Sequence, residues 1–583
     1  MHDKQGESQN ISKWRGVAQS LFRSEKSMPD MLEFVAAIIM LVSVKTFLIK
    51  DLLLTVNGTA ELDDKLYIDQ ANSLIHGSWL GPYWHHTLVK SPFYSMWIAA
   101  SWQARVPLWL SQHLLHLFAC AIMLLAIRPW VKSAWIRVLL FAVLLFDPRT
   151  FGDQAMRIVR EGVYCSLSLL VIACLLGLLS TSDKRSKYWP LWPLGLGLSS
   201  GAMWLTREEG IWLLPSILLV LGYWAASEWN RGTFQLPRFM VTIVLSLGIL
   251  LGSISLVSGL NYKYYGVYCV VEVKASPYKE AYGALTRVSH SNFQRFNSVP
   301  KETRERIYKV SPLFLELRPY LEGYPGTDWG TAGAFLVDPP DRKEIAGSWF
   351  IWALRDAVYL AGYHRTAPEA AEYYRALATE VNDACDDGRL EAGPERVSNV
   401  LPWRWDYLSP IAENLIQGGK SLVTLSRISS TNGVSFGTDS DIELFESITR
   451  WRAAPRYAVV LEQKYNPNPN TMQLGVLNTV TSGYRFITPF AFVLGISLWI
   501  LGAFVELRKL RLSPIFIFNT ALIGAVLSRL LILAYLATTS FWATNELYMA
   551  PLYSFVYIIP ITTMLGIVLT FSKSDKDVEK KEE

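Results

Sequence analysis

The chain has 583 residues, half of them apolar (51%) and only 18% charged. Soluble domains carry nearer a quarter charged residues, so composition alone excludes an ordinary soluble globule. A net charge of +5, scattered in short runs, gives no electrostatic footprint for nucleic acid.

The polar start, Met1–Asp30, reads as a cytoplasmic tail with an interfacial helix through Trp14, Leu21 and Phe22. A bilayer-spanning helix needs about 20 mostly apolar residues. Segments of that kind are expected at 31–54, 106–127, 134–147, 162–180, 189–206, 210–226, 238–260, 484–505, 513–537 and 547–571, the third being short. The apolar run 92–103 is too short to cross and is expected to lie along the membrane surface. Between the seventh and eighth spans, 261–483 has charged and turn-rich runs (338–344 and 466–470) and a helical pattern over 367–385. The expected fold class is an all-α polytopic membrane protein of about ten helices with an inserted extracytoplasmic domain, α/β or α-rich. Its divisions are a tail (1–30), a first membrane module (31–260), the insertion (261–483), the last spans (484–571) and a second tail (572–583).

Orientation follows from Lys and Arg, which collect on cytoplasmic loops. Five clusters, Arg128/Lys132/Arg137, Lys184/Arg185/Lys187, Arg231/Arg238, Arg508/Lys509/Arg511 and Lys573/Lys576/Lys580/Lys581, fall on one side when ten spans are counted. That side is expected to be the cytoplasm, with both termini, in a bacterial inner membrane. Loops 55–105, 148–161, 207–209, 261–483 and 538–546 then lie outside. Three of the five cysteines sit in or beside apolar helices. Cys269 and Cys385 lie in the insertion, either as free buried thiols or as a bonded pair in an oxidising compartment.

The outer loops hold the candidate chemistry. In the first, adjacent Asp63 and Asp64 precede Tyr67 and Ala71 at helical spacing, then Lys90-Ser91-Pro92-Phe93-Tyr94. The second has Asp147-Pro148, then Arg157, Arg160 and Glu161. The third is LTREEGIW (205–212) with Arg207, and a late one is NELYMAPLYSFVYI (545–558). An exposed acidic pair is more often a solvated loop than a site. Glu161 at a helix start also has a bland reading, the favourable placement of an acid at a helix N-terminus. Arg207 has another, an ion pair with Glu208 or Glu209.

These four segments resemble GT-C glycosyltransferases of the protein-mannosyltransferase and aminoarabinose-transferase type. The first loop is similar to theirs at Asp63, Tyr67, Ala71 and the Lys90–Tyr94 stretch, with Asp64 where Glu is usual and Ser91 where Pro is usual. Glu161 stands where Asp is usual. The resemblance implies transfer of a sugar from a polyprenyl-phosphate donor to a lipid-linked glycan, surface polysaccharide or protein acceptor, with inversion. It implies Asp63, Asp64 and Glu161 as catalytic, and Lys90, Arg157, Arg160 and Arg207 as donor-phosphate ligands. No cofactor is required, because phosphate beside cations is a fair leaving group. A divalent metal is the lesser alternative, on His85 and His86 with Asp63 or Asp64. Against it, adjacent side chains are expected to point apart. Alternatives for the whole chain are a polysaccharide polymerase or ligase of the other GT-C branch, a lipid-linked-glycan flippase, and a non-catalytic glycolipid binder.

Overall fold

The computed structural model describes residues 28–180, 187–207, 209–289, 295–337, 344–431, 433–457, 471–508 and 512–582. The interfacial helix of the tail, Lys184, Arg185, Glu208, most of 338–344, the run 466–470, Lys509 and Arg511 lie outside them, as do the side chains of the lysine-rich end.

Among the described residues, eight helices are long and apolar enough to cross a membrane: Met31–Ile49, Leu108–Ile127, Glu161–Ser180, Gly210–Asn230, Leu236–Tyr265, Met472–Arg508, Pro514–Thr539 and Glu546–Leu569. The other two expected spans are shorter helices, Ala134–Leu145 and Leu191–Trp204. At 1.5 Å per residue these reach only about 18 and 21 Å, short of a hydrocarbon core of about 30 Å.

Helices are labelled α1 (Met28–Ile49), α2 (Asp64–Ile75), α3 (Phe93–Gln103), α4 (Leu108–Ile127), α5 (Ala134–Leu145), α6 (Glu161–Ser180), α7 (Leu191–Trp204), α8 (Leu214–Asn230) and α9 (Leu236–Tyr265). The Arg137 guanidinium lies over the Phe34 ring (5.0 Å), and Lys45 Nζ donates to Thr150 Oγ1 (2.6 Å), so α5 runs parallel to α1. The pairs Gln112–Gly162 and His116–Ser166 set α6 parallel to α4. Ser168–Met203 and Cys174–Gly195 set α7 antiparallel to α6. The chain therefore alternates direction at each pass, short ones included.

Helix α6 is the centre of the bundle, with 94% of its apolar window buried. The α7–α9 crossing is close because α7 carries glycines. A Cβ at Gly197 would stand 2.0 Å from the Leu245 carbonyl oxygen, within a π-helical turn (Val244–Gly248) of α9. Small residues at such a face let two backbones approach where lipid supplies no hydrophobic drive.

The insertion is α-rich, with no extended strand among the described residues, only isolated bridges. Its first part holds α10 (Ser276–Arg287), α11 (Trp349–Leu360) and α12 (Ala367–Asp386). These pack around a core of their own that includes Tyr278, Leu285, Phe350, Leu354, Tyr374 and Leu377. Cys269 and Cys385 are free thiols, so the pairing alternative is not the one adopted. The second part, α13 (Leu408–Thr424) and α14 (Asp439–Thr449), contributes Leu422, Phe445 and Ile448 to the core of the membrane bundle.

The next helix, α15 (Thr471–Arg508), starts before the expected residue 484. It is followed by α16 (Pro514–Thr539) and α17 (Tyr553–Glu582). The Tyr223 hydroxyl, midway along α8, donates to the Leu512 carbonyl just before α16 (2.7 Å), towards the end of the bundle opposite Asp147–Ser554. The first pass begins and the last pass ends at that same opposite end, where Arg137 and Arg238 also lie. If this is the cytoplasmic end, Glu61→Cys in a background free of native cysteines should react with a membrane-impermeant maleimide in intact cells. Lys187→Cys should react only after permeabilisation, and the reverse pattern would invert the orientation.

Candidate active site

The loops expected outside assemble at one end of the bundle. Leu54 pairs with Ala453, Thr55 with Arg157 and Asn57 with Phe436, so a short extended stretch of the first loop is held by the second loop and by the insertion. Lys65 adds an ion pair to Asp441 (3.0 Å). This fixes the start of α2, and with it the two aspartates.

Asp63 and Asp64 have opposite environments. Asp63 occupies the N-cap position of α2 but makes no side-chain cap hydrogen bond. Its side chain is 46% exposed and accepts from Lys90 Nζ (3.0 Å). Burial of part of its surroundings pushes the Asp63 carboxyl up, but Lys90, Arg160 and Arg157 together hold it below the ordinary carboxylate value. Asp64 is wholly buried and faces Arg157, which donates from Nε (3.0 Å) and Nη2 (2.6 Å) to Oδ2. Burial pushes Asp64 up to about 6, even against the Arg157 guanidinium. Asp63 is thus an accessible carboxylate; Asp64 is an internal counter-ion.

Behind them lies a buried ion-pair chain. Glu161, the first residue of α6, is bound by Arg207, whose side chain is only 2% exposed. Arg207 also reaches Glu209 (3.5 Å) and lies over the Tyr548 ring (4.6 Å). Glu209 is shared with Arg529 Nη1 (2.9 Å), and burial is outweighed by Arg207 and Arg529, which hold its carboxyl well below the usual range. Arg529 also donates to the Tyr548 carbonyl oxygen (3.3 and 3.2 Å). Asn545 caps the turn that presents Tyr548 by accepting from its N–H (3.1 Å). The late 545–558 segment therefore joins the same site.

Lys90 enters through the turn before α3, where Phe93 N–H donates to the Leu205 carbonyl (3.0 Å). Arg160 Nη1 donates to the Thr206 carbonyl (3.4 Å) and is half-buried. Asp147 is a structural residue. It caps the Pro148–Thr150 turn through Arg149 N–H and accepts from Ser554 Oγ (2.9 Å).

All seven sequence-selected residues lie in this assembly, at two depths. Asp63, Lys90, Arg157 and Arg160 form its accessible face. Asp64, Glu161 and Arg207 lie beneath. Sequence reasoning did not select Glu209, Arg529 and Tyr548 as site residues. The signal for Arg529 is an ionisable side chain inside an apolar span, which is expensive without a partner.

The metal expectation is corrected in its geometry. His85 and His86 do not point apart, and neither Asp63 nor Asp64 joins them. Both Nε2 atoms lie 3.2 Å from Asp356 Oδ1, on α11 of the insertion. The backbone turns through 85–88, so the alternation of a regular helix or strand does not apply.

No family model matches the chain, and no curated protein matches it. Two solved structures align with most of it, both of ArnT from Cupriavidus metallidurans. The apo structure is 16% identical over 90% of this chain and 77% of that one, with a TM-score of 0.30. The structure bound to undecaprenyl phosphate is 15% identical over 89% of this chain and 77% of that one, with a TM-score of 0.29. Likeness at this level assigns no residue a role, and the chemistry of the site rests on its own geometry.

Proposed function

We propose that this chain is a membrane glycosyltransferase that moves a sugar from a polyprenyl-phosphate donor to an acceptor outside the cytoplasm. The observation that carries the reading is the accessible Asp63 carboxylate, held by Lys90 beside Arg157 and Arg160 at the rim of an apolar bundle. A lipid-linked donor needs those three things together. Its tail takes the apolar helix faces, its phosphate takes cations at the boundary, and its anomeric carbon then lies at the rim with the phosphate.

Lys90, Arg157 and Arg160 all act on the Asp63 carboxylate, so the cations a donor phosphate would need are gathered beside it. Lys90 and Arg160 are the direct phosphate ligands in this reading, with Arg157 oriented by Asp64. Arg207 acts differently from the sequence expectation: closed between Glu161 and Glu209, it holds the floor of the site. Asp63 accepts the acceptor's hydroxyl proton as the new C–O bond forms. Attack on the face opposite the departing phosphate inverts the anomeric centre. The bacterial inner membrane is the proposed location, with the site on its outer face.

The test is direct. Purified protein in detergent or nanodiscs is given a polyprenyl-phosphate sugar, and binding of that donor is measured. Donor binding weakened in Lys90→Met and Arg160→Met supports the reading, and no binding by the wild-type chain overturns it.

A pH profile separates the two aspartates. As pH falls through about 6, Asp64 takes a proton and Arg157 loses its counter-charge, while Asp63, held below the ordinary range, stays ionised. The acid limb of kcat/KM should therefore lie near pH 6 and flatten in Asp64→Asn. A limb found only at pH 4 or below would assign it to Asp63 instead.

A further inference from the structure

We propose a transition-metal site, with zinc as the fitting ion, built from His85, His86 and Asp356, that clamps the first outer loop onto the inserted domain. It is separate from the Asp63–Lys90 centre and does not depend on the sugar donor.

The three side chains converge as ligands do. Each Nε2 stands 3.2 Å from the same oxygen, Asp356 Oδ1, and all three potential ligand atoms lie within 4.8 Å of one another. Around a tetrahedral zinc with bonds of roughly 2.1 Å, neighbouring ligand atoms are about 3.4 Å apart. Both imidazoles are buried, with ring centroids 3.9 Å apart. Two imidazole nitrogens and one carboxylate oxygen make a donor set suited to zinc, with cobalt, nickel and copper as chemical relatives.

The carboxylate is aimed. Trp329 Nε1–H donates to Asp356 Oδ2 (2.7 Å), which leaves Oδ1 facing the histidines. An outer partner that fixes a ligand's orientation is the usual companion of a metal site. His364 is not a ligand, since its two nitrogens meet Tyr83 and Tyr374 hydroxyls (3.3 and 3.0 Å). Three protein ligands leave one position for water or another small ligand.

The histidine turn is held without the ion. Arg355 donates to the His85 carbonyl, Glu272 N–H donates to the Leu88 carbonyl (2.9 Å), and Tyr83 hydroxyl donates to Glu272 Oε1 (2.8 Å). The frame thus presents both imidazoles before a metal arrives. Lys90 follows His86 by four residues in the same loop.

The test uses the full chain purified in detergent. Metal analysis should find about one zinc per chain in the wild type and none in Asp356→Asn. After chelation, Co²⁺ should return the visible absorption of a four-coordinate site. Trp329→Phe, which keeps all three ligands and removes only the orienting bond, should weaken Co²⁺ binding about 10–100-fold. Should Asp356→Asn fail to fold, chelated wild type alone decides. Uptake of neither Zn²⁺ nor Co²⁺ by that protein, or uptake by a folded Asp356→Asn equal to that of the wild type, would leave a hydrogen-bonded His–Asp–His cluster and overturn the proposal.

Discussion

Asp63→Asn should lose sugar transfer by about 10²–10⁴-fold, the range typical of general-base assistance, with donor binding and folding kept. Two features of the structure sharpen this expectation. The Asp63 side chain makes no cap hydrogen bond to α2, so helix capping is not its role. Its close partner among the described residues is Lys90, and its exposure leaves an oxygen for an acceptor hydroxyl. An ionised aspartate is a weak base toward an alcohol, but the hydroxyl becomes acidic as its bond to carbon forms. Asn keeps the size and takes from Lys90 through its amide oxygen, so stability should change little. Asp64→Asn should behave differently. It removes the counter-ion of Arg157 from a buried position and should lower both transfer and thermal stability. Near-normal turnover by purified Asp63→Asn would remove Asp63 from the chemistry.

The second large effect is expected at Arg207. Arg207→Met leaves Glu161 in a buried setting without its arginine, and breaking a buried pair from one side costs about 3–5 kcal/mol. Glu209 keeps Arg529, so the loss concentrates on Glu161. The variant should show a lower unfolding midpoint in detergent and poor yield. The double variant Arg207→Met with Glu161→Gln should recover part of that stability, because no buried charge is then stranded. Arg207→Lys should also lose stability, since one ammonium cannot reach Glu161, Glu209 and the Tyr548 ring together. Wild-type stability for Arg207→Met, with only donor affinity reduced, would return Arg207 to the phosphate.

Much of this was legible in the chain. Long apolar runs gave the passes, because a bilayer demands length and apolarity over a continuous segment. The basic clusters gave their alternation, which the helix pairings reproduce even for the two short passes. Hydropathy overstated α5 by Phe146 and Asp147, and α7 by two residues at each end. Only hydrogen bonding shows that α5 stops at Leu145, before the Asp147-capped turn.

The site was legible by segment and not by depth. Asp63 and Asp64 are neighbours in sequence, yet one faces the rim and the other is the internal partner of Arg157, 93 residues away. Nothing local encodes that difference. Arg529 is a costly charge in an apolar span, but Glu209, 320 residues earlier, is known as its partner only from the fold. Asp356 is 270 residues from His86, and a regular backbone would have set His85 and His86 on different faces. The turn at 85–88 is what brings them together.

The central claim is that a polyprenyl-phosphate sugar is consumed here. The most direct measurement is mass spectrometry of lipid carriers and surface glycans from cells with the chain, without it, and with Asp63→Asn in its place. The account predicts that loss of the chain removes one sugar from a glycan or glycolipid and raises the matching polyprenyl-phosphate sugar, and that Asp63→Asn reproduces the loss. Identical carrier and glycan profiles in all three strains would contradict it.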